Sequence, residues 1–178
     1  MANPLADFTL SEPVFIDTNV FVYHQAAHPD FGPDCRDFLD KVERGKAEGL
    51  TTSVVINEAT YIMQIQRAAN LLGSSSRSVI HARMALDQGF AAECWDAAEG
   101  FMNLVDALRN GGLTVIGVEL SHYREACEVG RRFQLFTSDA THVVVCEALS
   151  IRHIASNDAD FDRATFLTRW VPSRPATS

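Results

Sequence analysis

Val14-Phe15-Ile16-Asp17-Thr18-Asn19-Val20-Phe21 is the stretch on which the fold turns. Three apolar residues behind Pro13 form a short continuous run, the pattern of a strand buried on both faces in a parallel sheet. The run ends in Asp17-Thr18-Asn19, residue types that favour turns and helix starts. Strand, polar turn and helix together open a βαβ unit.

Working outward, a helix from about Val20 should fail near Pro29. A second is expected from Asp34, with Phe38, Leu39 and Val42 at helical spacing until Gly45 and Gly49 break the pattern. Leu50-Thr51-Thr52 reads as a short strand. Ser53 is placed to cap a helix from Val54 to about Leu72, whose inner face carries Val55, Ala59, Ile62 and Met63. Gly73 to Ser76 reads as a linker. Two helices follow, about Ser78 to Leu86 and Glu93 to Arg109, and Gly111-Gly112 stops the second. Leu113 to Val118 is β-rich, Ser121 is expected to cap a helix through about Phe133, and Ser138 to open another ending near Leu149. Ile151 to Ala155 and Leu167 to Val171 are the remaining strands, and the tail, about 173–178, is expected to be disordered. Strands alternating with helices give an α/β fold with a mostly parallel sheet covered on both faces.

The 178 residues, 47% of them hydrophobic, suit one domain spanning 1–178, with a helical elaboration at about 74–112. No apolar stretch has the length of a bilayer span and nothing in 1–13 reads as a signal peptide, so a soluble, cytoplasmic protein is expected, with no membrane partner. Cys35, Cys94, Cys127 and Cys146 lie far apart without a CxxC pair, which points to buried thiols rather than to disulfides or zinc. A net charge of -8 argues against a protein that coats nucleic acid through a basic surface. Bound divalent cations would reverse that argument locally, at the place where a phosphate must approach.

Carboxylates carry the functional signal. Asp17 and Asp158 each follow an apolar strand, and in open α/β sheets the carboxyl ends of strands are where sites are built. Asp17 equally suits a helix N-cap, and Asp158 a solvated acidic loop. Glu58 falls within or beside an apolar helical stripe, between Val54 and Ile62, where an unpaired charge is costly; a stripe edge facing water is the alternative. Asp139 stands in a first helical turn, favourable for its charge whatever its role, with apolar Val143 and Cys146 below it on the same side. Carboxylates gathered from such distant segments would raise one another's pKa unless cations intervened. All-oxygen ligation selects hard ions, Mg²⁺ or Mn²⁺.

FIDTNVF at 15–21, TTSVVINEATYI at 51–62, SDATHVVVCEALSIRHIASNDADF at 138–161 and RWVP at 169–172 resemble the PIN-domain ribonucleases, and among them the VapC-type toxins of toxin-antitoxin systems. The resemblance implies a three-layer α/β/α sandwich with a central, mostly parallel sheet. It implies Mg²⁺- or Mn²⁺-dependent hydrolysis of RNA phosphodiesters, a homodimer, and an antitoxin partner that blocks the site. The family's acidic set falls on Asp17, Glu58, Asp139 and Asp158, as catalytic residues and metal ligands, with Asp160 a fifth ligand. Thr18, Asn19, Ser138 and Asn157 would orient ligands or water behind them. The helical middle is longer than in compact members of that group.

Other readings carry less. His24 and His28 are four apart but lack the glutamate of an HExxH helix, and Pro29 ends the helix there. His142 fits a packed helix position better than a ligand. Arg36, Arg77, Arg83, Arg131 and Arg132 could steer an RNA backbone, and none stands out. A phosphatase of the haloacid dehalogenase type would want a second aspartate where this chain has Asn19. A non-catalytic PIN-like module binding RNA or protein would have no use for concentrated repelling charge.

Overall fold

The computed structural model describes residues 2–173. Six strands, β1 (Asn3–Pro4), β2 (Val14–Ile16), β3 (Gly49–Thr52), β4 (Leu113–Ile116), β5 (His153–Ala155) and β6 (Thr168–Val171), form one sheet in the order β1-β6-β5-β2-β3-β4. Every pairing is parallel. Seven α-helices connect them: α1 (Thr18–Gln25), α2 (Gly32–Glu43), α3 (Ser53–Leu72), α4 (Arg77–Leu86), α5 (Gln88–Gly111), α6 (Leu120–Phe133) and α7 (Thr137–Ala148). From β2 the chain winds outward through β3 to β4, then returns to the other side of β2 to lay down β5 and β6. Right-handed crossovers running in opposite directions put their helices on opposite faces. Accordingly α1, α2, α3 and α5 pack together, and α6 packs against α7. The result is the α/β/α sandwich expected.

All of β2, β3 and β5 is buried, and Phe15, Ile16 and Ile154 are wholly enclosed, so the central strands read as continuous apolar or small-residue runs. The helical middle has its own apolar seam, where Ala68, Ile80, Phe90 and Cys94 interlock α3, α4 and α5. Further along α5, Phe101, Val105 and Leu108 turn into the main core. The helix ends against α2: a Cβ on Gly111 would lie 2.0 Å from the Glu43 carbonyl oxygen, so only glycine permits the approach.

Several element boundaries differ from the sequence expectations. Thr52, not Ser53, caps α3, its hydroxyl accepting from Val55 N at 3.3 Å. Glu119 precedes α6 and Ser121 lies inside its first turn; His122 Nδ1 accepts from Glu119 N at 3.0 Å. Helix α5 starts five residues before Glu93 because Asp87 caps it, accepting from Phe90 N at 3.0 Å. The two-residue β1 and the 3₁₀ turns Leu5–Asp7 and Ala159–Arg163 are too short to leave a periodic signal. Cys35, Cys94 and Cys146 are buried as expected, but Cys127 is exposed, on the outer side of α6. At the start of the tail, Ser173 is tied to Asp34 through both its N–H (2.9 Å) and its hydroxyl (2.5 Å); the rest of the segment expected to be disordered, 174–178, lies outside the described residues. Among the described residues no helix is long and apolar enough to cross a membrane.

Candidate metal centre at the carboxyl edge of the sheet

The chain reverses its direction across the sheet between β2 and β5, which is where open α/β sheets form their crevices. The register pairs Ile16 with Ala155, so Asp17 and Ser156 leave the two strand ends side by side. Asp17 N donates to the Ala155 carbonyl at 3.1 Å, extending the ladder by one rung. Ser156 Oγ then donates to Asp17 Oδ2 at 2.6 Å and accepts from Asp158 N at 2.9 Å. Asn19 Nδ2 donates to Asp17 Oδ2 and, at 3.1 Å, to Ser156 Oγ, while Asn19 Oδ1 accepts from Asn157 N at 3.0 Å. Asn157 Nδ2 reaches the Tyr23 hydroxyl at 3.1 Å. One hydrogen-bonded lattice therefore fixes the β2–α1 and β5 loops against each other.

Asp17 also caps α1, accepting from Thr18 N at 2.7 Å, so the expected cap is present and the same carboxyl belongs to this lattice. Thr18 Oγ1 donates to Glu58 Oε2 at 2.8 Å, tying α3 to α1. Beyond them, ligand atoms of Asp139, Asp158 and Asp160 all lie within 4.8 Å of one another. Asp160 N donates to Asp158 Oδ1 at 2.8 Å, which curls the loop so that both carboxyls face Asp139 at the start of α7. Asp139, Asp158 and Asp160 thus form a tight group, with Asp17 and Glu58 beside it.

Electrostatics bind the two parts into one site. Asp17 is only 6% exposed, and burial, with repulsion from Asp139 and Glu58, pushes its pKa up to about 7 against hydrogen bonds from Ser156 and Thr18. Asp139 is raised to about 6, first by burial and then by Asp158, Glu58 and Asp160, with Arg163 opposing. Arg163, in a 2.5 Å ion pair with Asp160, is the nearby cation this cluster engages. The donor set consists of carboxylate oxygens, mutually repelling and short of positive charge, which fits a hard divalent cation.

Of the orienting residues expected from sequence, Thr18, Asn19 and Asn157 are in the lattice. Ser138 is half-buried and makes no side-chain hydrogen bond among the described residues. Two residues escaped the sequence reading. Ser156 sits at the centre of the lattice, and Arg169 on β6 grips Asp162 through Nε and Nη2, each 2.7 Å, steadying the 3₁₀ turn that carries Asp160. A buried small polar residue at the end of β5 was the available signal for the first; an arginine inside a final strand was that for the second. His142 is packed, as expected: it is buried against Phe15 with ring centroids 5.1 Å apart, and burial lowers its pKa to about 4.

No protein-family model matches the chain, and no curated protein matches it. Solved structures do. A chain in the crystal structure of VapBC2 from Rickettsia felis bound to a DNA fragment from its promoter matches with a TM-score of 0.54 at 14% identity, covering 90% of this chain and 98% of that one. VapC20 of Mycobacterium tuberculosis, described as a toxin that cleaves the sarcin-ricin loop, matches with a TM-score of 0.57 at 17% identity, over 91% of this chain and 99% of its own. At these identities the likeness is one of fold: the α/β/α sandwich with its parallel six-stranded sheet is shared over nearly the whole length with a chain of the VapBC2 structure and with VapC20.

Proposed function

We propose that this chain is a divalent-metal-dependent endoribonuclease and the toxin of a toxin-antitoxin pair. The observation that carries the proposal is the group formed by Asp139, Asp158 and Asp160, ligand atoms within 4.8 Å of one another, set beside Asp17 and Glu58 at the sheet's switch point. The fold shared with a toxin described as cutting the sarcin-ricin loop, and with a VapBC2 complex, supports RNA as substrate and an antitoxin as partner. A homodimer and a cytoplasmic location belong to the same reading.

Asp139, Asp158 and Asp160 would hold one Mg²⁺ or Mn²⁺, with Asp17 and Glu58 available to complete its shell or to hold a second. Such an ion, when bound, supplies a Lewis acid for the phosphodiester and lowers the pKa of water beside it. The protein's own residues fix the geometry. Thr18 holds Glu58, Ser156 and Asn19 hold Asp17, and the Asp160 amide holds Asp158, so the carboxylates meet a substrate already oriented. No protein nucleophile is needed.

The test is cleavage of labelled RNA by purified protein in Mg²⁺ or Mn²⁺, with EDTA and Asp17→Asn controls. Cutting abolished by both is expected. Cutting that survives Asp17→Asn would refute the assignment, and RNA bound but never cut would mark a non-catalytic module.

A further inference from the structure

Phe136, the N-cap of α7, is 84% exposed. Its side chain makes no cap hydrogen bond, although this position favours Ser, Thr, Asp or Asn, which would satisfy a free helical amide. An apolar ring held in water at a position suited to a polar cap gains nothing for the fold. The residue three positions later is Asp139, and N-cap and third-position side chains are neighbours across the first turn of a helix. The exposed ring therefore shares the first turn of α7 with one of the clustered carboxylates.

A groove of about 320 Å³ lies between α6 and α7; Leu135 and Thr137, which flank Phe136, and Ala140, which follows Asp139, line it together with Tyr123 and Arg131 over a floor of small residues. Tyr123 is exposed, and Arg131 makes no salt bridge among the described residues, unlike its neighbour Arg132, which pairs with Glu147. An exposed aromatic ring flanked by two residues of a groove that also carries a second aromatic and an unpaired guanidinium supplies the parts of a single-strand nucleic-acid track. Net charge limits the kind of contact such a track could use. At -8, and with Arg163 already paired to Asp160, the surface offers little general attraction for a phosphate backbone, so affinity must come from contacts that charge does not oppose. Stacking is such a contact.

We infer that the α6–α7 groove is the path of single-stranded RNA leaving the acidic cluster, with Phe136 stacking on a nucleobase beside the scissile phosphate, Tyr123 on a further base and Arg131 on the backbone. The inference rests on the ribonuclease reading and adds where the strand lies. It makes Phe136 a positioning residue, set apart from the acidic groups that perform hydrolysis.

The experiment is steady-state cleavage of a single-stranded RNA oligonucleotide carrying 2-aminopurine, by the full chain in Mg²⁺ or Mn²⁺. Phe136→Ala is expected to raise KM about ten-fold, with kcat within about two-fold, and to abolish 2-aminopurine quenching on binding. Phe136→Trp should restore both, and Phe136→Leu neither, which separates stacking from mere apolar contact. Arg131→Gln should flatten the dependence of log affinity on log salt by about 0.7, the signature of one lost single-strand phosphate contact. Unchanged KM and quenching in Phe136→Ala, with cleavage intact, would overturn the track while leaving the ribonuclease standing, and would hand the groove to a protein partner. Wild-type protein that neither cuts nor binds the RNA would remove both readings together.

Discussion

Ser156 Oγ donates to Asp17 Oδ2 at 2.6 Å across the junction of two neighbouring parallel strands, while accepting from the backbone amide of Asp158. One buried hydroxyl thus sets the position of two acidic residues that are distant in sequence. Ser156→Ala removes a hydrogen bond that lowers the Asp17 pKa, and leaves the Asp158 amide without that acceptor. The variant should lose about 1–3 kcal/mol of stability by chemical denaturation. The rising limb of its pH-activity profile should also move to higher pH. An unmoved limb would mean that Asp17 does not govern it.

Metal-free protein should become less stable as pH rises from about 4 to about 7. The sign follows from Asp17, whose pKa goes up on folding from 3.8 to about 7: in that window the native state holds a proton that the unfolded chain has released. This contribution is complete below the unfolded value and gone above the folded one. Asp17→Asn abolishes it, and in EDTA at pH 8 should raise stability by up to about 4 kcal/mol, less what the amide loses in hydrogen bonding. Thermal denaturation of both proteins across the range is the measurement. A parallel pH response in the two would show that Asp17 is not the buried charge responsible.

Mg²⁺ or Mn²⁺ should reverse that penalty. A cation that binds only the folded state raises Tm by mass action, and its ligands must first be ionised. With Asp17 and Asp139 raised to about 7 and about 6, the shift should be small at pH 5.5 and large at pH 8. Calorimetric titration should register proton release near neutrality. A shift of equal size at both pH values would place the ion elsewhere.

Arg169 offers a test of loop positioning. Its buried guanidinium grips Asp162 bidentately, and those hydrogen bonds hold the Asp162 carboxyl below its usual range. A depressed carboxylate stabilises above its unfolded pKa of 3.8 and stops doing so as pH falls through the folded value. Arg169→Met should cost about 1–2 kcal/mol at pH 7, since Asp162 is half in water and the pair is screened there. Because the 3₁₀ turn carries Asp160, half-maximal activity should also need more metal. Normal metal dependence in a folded Arg169→Met protein would confine the arginine to a structural role.

Much of the layout is written in local sequence. Val14-Phe15-Ile16 before Asp17-Thr18-Asn19 is a buried strand meeting a cap, and burial on both faces removes the polar alternation that would mark any other kind of sheet. Apolar spacing in the helices and glycines at their ends brought α2, α3, α4 and α7 within a few residues of their observed limits. The acidic residue types, their strand-end placement and their order along the chain are likewise local properties. What the chain could not state locally is which of them meet. Asp139, Asp158 and Asp160 converge, with Asp17 and Glu58 alongside, because β5 returns to pair with β2 rather than with β4, and strand order is settled by long-range packing. Ser156 becomes the hub by the same closure. Periodicity fixes the face a residue occupies, and only the assembled sheet decides what that face will meet.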